Sequence, residues 1–144
     1  MSLQDPLTKM SKSAPNPLSR ILITDPPSEI TRKIMAAVTD SSNFVSYDPI
    51  SRPGVANLLR LLSNFSTSKQ SAEELGKVHA NLGLGQFKKL VAEAVIEGLA
   101  GVRGEFERVL GDEGYLDGVA ERGKRRARES AEATMVDVRE AMGL

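Results

Sequence analysis

Lys9-Met10-Ser11-Lys12-Ser13 sets two ammonium groups three residues apart among small hydroxyls. That combination suits phosphate oxygens, because it delivers positive charge and short hydrogen-bond donors without bulk. Met10 supplies an apolar anchor that can change packing partners if the segment moves. Pro6, Pro15 and Pro17 flank the five residues. They remove backbone donors and restrict their neighbours, so residues 5–19 read as a loop. A solvated Ser/Lys-rich loop is the plainer reading of the same residues. A second basic concentration, Arg122, Lys124, Arg125, Arg126 and Arg128, reads either as a solvated helix face or as a stripe contacting phosphates.

Composition narrows what could position these groups. The 144 residues contain no cysteine and one histidine, His79. A disulfide framework, a thiolate zinc site, a cysteine nucleophile and a multi-histidine metal cluster are therefore excluded. Two Tyr, four Phe and no Trp leave the core to Leu, Val, Ile and Ala, which points to packed helices. No apolar run reaches the length of a membrane span. The formal net charge is zero, but it is unevenly spread. Residues 1–70 carry eight basic and five acidic side chains, and residues 71–144 carry eleven basic and fourteen acidic.

The elements follow from periodicity and punctuation. Residues 20–24, Arg-Ile-Leu-Ile-Thr, form a short apolar run, predicted as a strand or an extended connector. Asp25 is predicted to cap a first helix with Pro26 at its first position, and Ile30, Ile34, Ala37 and Val38 share one face. Pro53 is predicted to start a second helix capped by Ser51, burying Val55, Leu58, Leu59, Leu62 and Phe65. Ser71-Ala72-Glu73-Glu74 matches a capping box opening a short helix to about Asn81. A long helix is predicted from about Gln86 to Leu110, where a kink or a close contact would explain Gly98, Gly101 and Gly104. A final helix is predicted from about Tyr115 to Met142, with Leu116, Val119, Ala120, Gly123, Ala127, Ala131, Thr134, Val138 and Met142 as its inner face. The expected fold is all-α: a helical bundle of about five helices preceded by an irregular arm. The arm, 1–25, looks cut from a larger body, with the helical domain at 26–144.

Lys9 to Ser13 is the KMSKS signature of class I aminoacyl-tRNA synthetases. Its surroundings add to it: Ser2-Leu3-Gln4-Asp5-Pro6 before, Pro15-Asn16-Pro17 after, then Ala37-Val38-Thr39-Asp40-Ser41 and Arg52-Pro53-Gly54-Val55-Ala56-Asn57-Leu58-Leu59. Gly85-Gln86-Phe87-Lys88, Ala94-Val95-Ile96-Glu97 and Ala141-Met142-Gly143-Leu144 continue the series. Together they resemble the C-terminal part of bacterial-type and organellar tryptophanyl-tRNA synthetases, over essentially the whole chain.

The resemblance implies a homodimeric enzyme with a Rossmann catalytic domain and a helical anticodon-binding domain, using ATP, Mg2+ and tryptophan to charge the tRNA for tryptophan. Lys9 and Lys12 match the lysines that handle ATP phosphates. Ser11 and Ser13 match the small polar positions around them, with Met10 between. Ala14 stands where the family very often has Asp, which puts a carboxylate's role there in doubt. No HIGH-like motif occurs in these residues, so the Rossmann domain is expected to be absent, most of the dimer interface with it, and the isolated chain inactive and monomeric. Anticodon readers hold phosphates with basic groups, and Lys77, Lys88, Lys89, Arg108, Lys124 and Arg125 are the candidates. Each is equally an ordinary exposed helix residue. His79 reads as a polar helix residue, and Phe44 and Tyr47 as packing the loop after the first helix. The alternative is a free-standing helical module that binds RNA or a partner without catalysis. Enzymes of this kind work in the mitochondrial matrix or the cytoplasm, and the chain itself does not choose between them.

Overall fold

Prolines and local acceptors set where the helices begin. A computed structural model describes all residues, Met1–Leu144. It contains a short 3-10 helix at Pro17–Ser19 and five α-helices: α1 (Pro27–Met35), α2 (Pro53–Phe65), α3 (Ala72–Val78), α4 (Leu84–Leu110) and α5 (Glu113–Met142). No strand is present, so the fold is all-α, as composition predicts. The chain divides into two compact units, Met1–Arg103 and Gly104–Leu144.

In the first unit, α1 to α3 and the first part of α4 enclose a core centred on Ile30, Ile34, Leu58, Leu59, Phe87 and Val91, all 0–1 % exposed. Burying each such side chain contributes about 1.5–3 kcal/mol. α3 starts as its sequence predicts. The Ser71 hydroxyl accepts from the Glu74 amide at 3.2 Å, and the Glu74 carboxylate accepts from the Ser71 amide at 2.8 Å. Gly54 and Gly98 are sites of close approach. A Cβ on Gly54 would overlap the Val38 carbonyl oxygen, and one on Gly98 would overlap the Phe65 ring. Gly101 and Gly104 have open space beside them, so close contact does not explain those two.

The arm is stitched into this core. Leu3 is 1 % exposed and sits between two backbone partners. Its amide donates to the Ser19 carbonyl at 2.9 Å, and its carbonyl accepts from the Val38 amide at 2.8 Å. Asn57, buried on α2, donates from Nδ2 to the Met1 and Ser2 carbonyls at 3.3 and 3.2 Å. Such bonds satisfy backbone groups that no sheet is present to pair.

Several local expectations are corrected. Residues 20–24 are not a strand. They lead into a turn in which the Asp25 amide donates to the Leu22 carbonyl at 3.1 Å. Asp25 does not cap α1, whose N-cap is Pro26 without a side-chain bond. Its carboxylate instead accepts from the Leu22 amide and pairs with the buried Lys33 ammonium at 2.5 Å. The first helix ends at Met35, which leaves Val38 in the following loop and 47 % exposed. Ser51 does not cap α2. Asp48 organises that turn by accepting from the Ile50 and Ser51 amides at 3.0 and 2.9 Å.

The second unit holds the tail of α4 and all of α5. None of its residues is buried. The stripe predicted as the inner face of α5 is therefore solvent-facing: Leu116, Val119, Val138 and Met142 are 39, 44, 39 and 67 % exposed. Periodicity identifies an amphipathic helix correctly, but it does not say whether anything covers the apolar side.

The loop between α1 and α2 is held by a forked ion pair. Arg52 donates from Nε and Nη2 to the two Asp40 carboxylate oxygens at 2.8 and 2.9 Å, and from Nη1 to the Ser46 hydroxyl at 2.8 Å. Its guanidinium also lies 4.4 Å from the centre of the Phe44 ring. The Arg52 hydrogen bond pulls the Asp40 carboxyl down to about 2. A depressed carboxyl stabilises the fold above its unfolded value and loses that contribution as pH falls through the folded value. The stability difference between the wild type and Asp40→Asn is expected to be about 1–2 kcal/mol at pH 5 and to shrink between pH 4 and 2. Parallel thermal melts across that range check it.

Candidate phosphate loop and basic helix residues

The loop that carries the lysines returns close to its own start. The Ser2 amide donates to the Thr8 carbonyl at 2.8 Å, and the Thr8 amide donates to the Asp5 carbonyl at 3.0 Å. These contacts set the limb that enters the signature. Lys9, Ser11, Lys12 and Ser13 are exposed and Met10 is half-buried. The Ser11 and Ser13 hydroxyls are 3.0 Å apart, and the Ser13 amide donates to the Ser11 hydroxyl at 3.3 Å. Neither lysine has a carboxylate within ion-pair distance. The loop thus offers two uncompensated cations and two hydroxyls to solvent, a set suited to an anion with several oxygens.

Lys12 shares a cavity of about 550 Å³ with Arg20 and the 21–24 turn. Met10 packs against the core and lines an apolar groove of about 210 Å³ with Ile21, Leu61, Phe65 and Leu99. The loop is therefore anchored by one thioether in a soft, apolar seat while its cations remain free. Sequence reading missed Arg20, because its part depends on the chain doubling back. It also missed the Lys33–Asp25 pair beneath the turn. Arg103 on α4 donates to the Asp25 carbonyl at 3.3 Å and ties the same turn from above.

The candidate basic residues fall in different settings. Within Met1–Arg103, Lys77 is exposed and paired with Glu73 at 2.9 Å, one turn earlier. Lys89 is exposed without an ion partner. Lys88 is half-buried and donates to the Met35 and Ala37 carbonyls at 3.3 and 2.8 Å. It serves the end of α1, and burial lowers its pKa. Within Gly104–Leu144, Arg108 pairs with Glu105 at 3.0 Å, Lys124 with Glu121 at 3.1 Å and Arg125 with Glu129 at 4.0 Å. Such exposed one-turn pairs contribute little and exchange readily for other anions. His79 ends α3 beside Phe87, with ring centres 6.4 Å apart. Tyr47 packs under Arg60, whose guanidinium donates to the phenol oxygen at 3.1 and 3.2 Å. Phe44 stays 49 % exposed. No three His, Asp or Glu side chains come together as a metal cluster, and no helix is long and apolar enough to cross a membrane.

Comparison with known proteins supplies the context. Residues 1–100 match the family described as tRNA synthetases class I (W and Y). The chain is 41 % identical to the mitochondrial tryptophan–tRNA ligase of Saccharomyces cerevisiae, covering 99 % of this chain and 38 % of that protein. It is 38 % identical to the tryptophan–tRNA ligase of Bacillus subtilis, covering all of this chain and 43 % of that protein. Its fold matches the crystal structure of tryptophanyl-tRNA synthetase from Mycoplasma pneumoniae with a TM-score of 0.69 and 27 % identity, over the whole chain and 43 % of that structure. The chain thus spans about two fifths of the length of these relatives and corresponds to their C-terminal part. With a matching sequence pattern, a matching fold and a family match over residues 1–100, the chain belongs to the class I tRNA synthetases of the tryptophan and tyrosine type.

Proposed function

We propose that this chain is the C-terminal portion of a tryptophan–tRNA ligase. Lys9 to Ser13 bind the phosphates of ATP while tryptophanyl-adenylate forms, and the helical domain contacts the anticodon region of the tRNA for tryptophan. The observation that carries this reading is the pair of exposed, uncompensated lysines, of which Lys12 lines a cavity, in a chain of this family. Negative charge moves onto the leaving pyrophosphate as the α-phosphate is attacked. Ammonium groups on a mobile loop can follow that charge and bind it best when it is greatest. The residues here offer cations and hydroxyls but no carboxylate cluster, so Mg2+ would arrive with the nucleotide and neutralise its oxygens. The complete enzyme is a homodimer in this reading, working in the mitochondrial matrix or the cytoplasm.

The tryptophan pocket and the adenine site fall outside these residues in this reading. ATP–pyrophosphate exchange by the isolated 144-residue chain is therefore expected at background. Robust exchange would overturn the division of labour. For tRNA, three or four phosphate contacts from Lys77, Lys89, Arg108, Lys124 and Arg125 would make log affinity fall with log salt at a slope of roughly −2 to −3. Filter binding with the cognate transcript between low and moderate salt measures it. A flat curve counts against the helical domain as a tRNA surface.

A further inference from the structure

The two limbs of the lysine loop are held unequally. From Ser11 to Ser13 the contacts are local and weak, the longest being 3.3 Å. From Ala14 to Ser19 the chain forms a clamped corner. The Asn16 side chain accepts from the Leu18 amide at 3.0 Å, and the Ser19 hydroxyl donates to the Asn16 carbonyl at 2.6 Å. Ser19 is itself buried and bonded to Leu3. Arg20 closes the corner across its open side. Its Nη1 donates to the Ala14 carbonyl at 2.9 Å and reaches the Asn16 carbonyl at 3.5 Å.

Arg20 also has no carboxylate within ion-pair distance, although it is only half-exposed. It lines the same cavity as Lys12. Like charges lining one cavity favour an anion within it. A guanidinium is planar, always charged and able to serve two acceptors at once, so it can hold a carbonyl and keep donors free for the cavity. The Ala14 side chain is a methyl group and offers no carboxylate to that guanidinium, which bonds the backbone instead.

We propose that Arg20 is a positioning residue for the lysine loop. Its bond to the Ala14 carbonyl fixes the limb from which Lys12 reaches a bound polyphosphate, and its charge completes the cationic wall of the cavity. The second half of this inference rests on the phosphate reading of the loop. The first half does not.

The test uses the full 144-residue chain as wild type, Arg20→Ala, Arg20→Lys and Lys12→Ala. Backbone amide relaxation is measured, followed by titration with inorganic tripolyphosphate. Amides inside α2 report that each variant is folded. In Arg20→Ala the order parameters of Ala14 and Asn16 are expected to fall from about 0.85 to below 0.6. Tripolyphosphate affinity is expected to drop about 3–10-fold, the net scale of one ordinary hydrogen bond in water. Arg20→Lys should recover part of both. Unchanged order at residues 14 and 16 in Arg20→Ala overturns the clasp. Weakened binding in Lys12→Ala with unchanged binding in Arg20→Ala overturns the link between clasp and anion. Equal binding by wild type and Lys12→Ala overturns the phosphate reading itself, and the order parameters then decide the clasp alone.

Discussion

Lys12→Ala, in the chain joined to the catalytic half that the family resemblance implies, is expected to lower the rate of ATP–pyrophosphate exchange about 10²–10³-fold, the usual cost of one donor aimed at developing charge. The loss should fall on kcat and kcat/KM alike, because the interaction is greatest in the transition state. Lys12 is exposed and has no ion partner, so the same change should leave stability within about 0.5 kcal/mol. Affinity for tRNA should also hold, since the substitution touches only the lysine loop. Steady-state exchange kinetics with ATP varied, beside a melting curve, separate these outcomes. A loss under threefold would remove Lys12 from the phosphate chemistry.

Lys33→Ala is expected to cost about 3–5 kcal/mol, the penalty for stranding a buried charge. The Lys33 and Asp25 side chains are 3 and 9 % exposed, and Asp25 would keep only the Leu22 amide as a side-chain partner. A loss of that size should lower Tm by more than about 10 °C in a unit of this size. Lys33→Met with Asp25→Asn together should recover much of the deficit, because the stranded charge is then gone. Thermal melts of Lys33→Met, Asp25→Asn and the double variant close a cycle. Simple additivity would show that the pair is not coupled.

What could be read in the sequence was local. The capping box at Ser71 and Glu74 is complete within four residues, and its reading survives intact. Pro53 and the Val55–Leu62 spacing mark α2 because steric and periodic signals both act within a turn or two. The lysine signature is likewise contiguous. What failed depended on partners further away. Asp25 looks like a helix cap until Lys33, eight residues on, claims its carboxylate. Asp40 and Arg52 meet across twelve residues of loop, and Asn57 finds the backbone at Met1 and Ser2 more than fifty residues away. Residues 20–24 have the composition of a strand but no neighbouring strand, so the turn into Asp25 takes over. Arg20 stayed invisible for the same reason, since nothing in its spacing says that the chain folds back to Ala14.

The exposure of α5 has a thermodynamic consequence. Thirty helical residues with no fully buried side chain add much peptide ellipticity and little buried apolar surface. The heat-capacity change and the denaturant m-value of unfolding come from surface that unfolding exposes. Both therefore come mainly from Met1–Arg103, while the far-ultraviolet helical signal is shared with α5. A helix held mainly by its own turns loosens gradually, whereas a cored unit melts in one step. Ellipticity and calorimetry then describe two different events in the same chain, and a single fitted transition would blend a helix–coil equilibrium with the cooperative loss of the core.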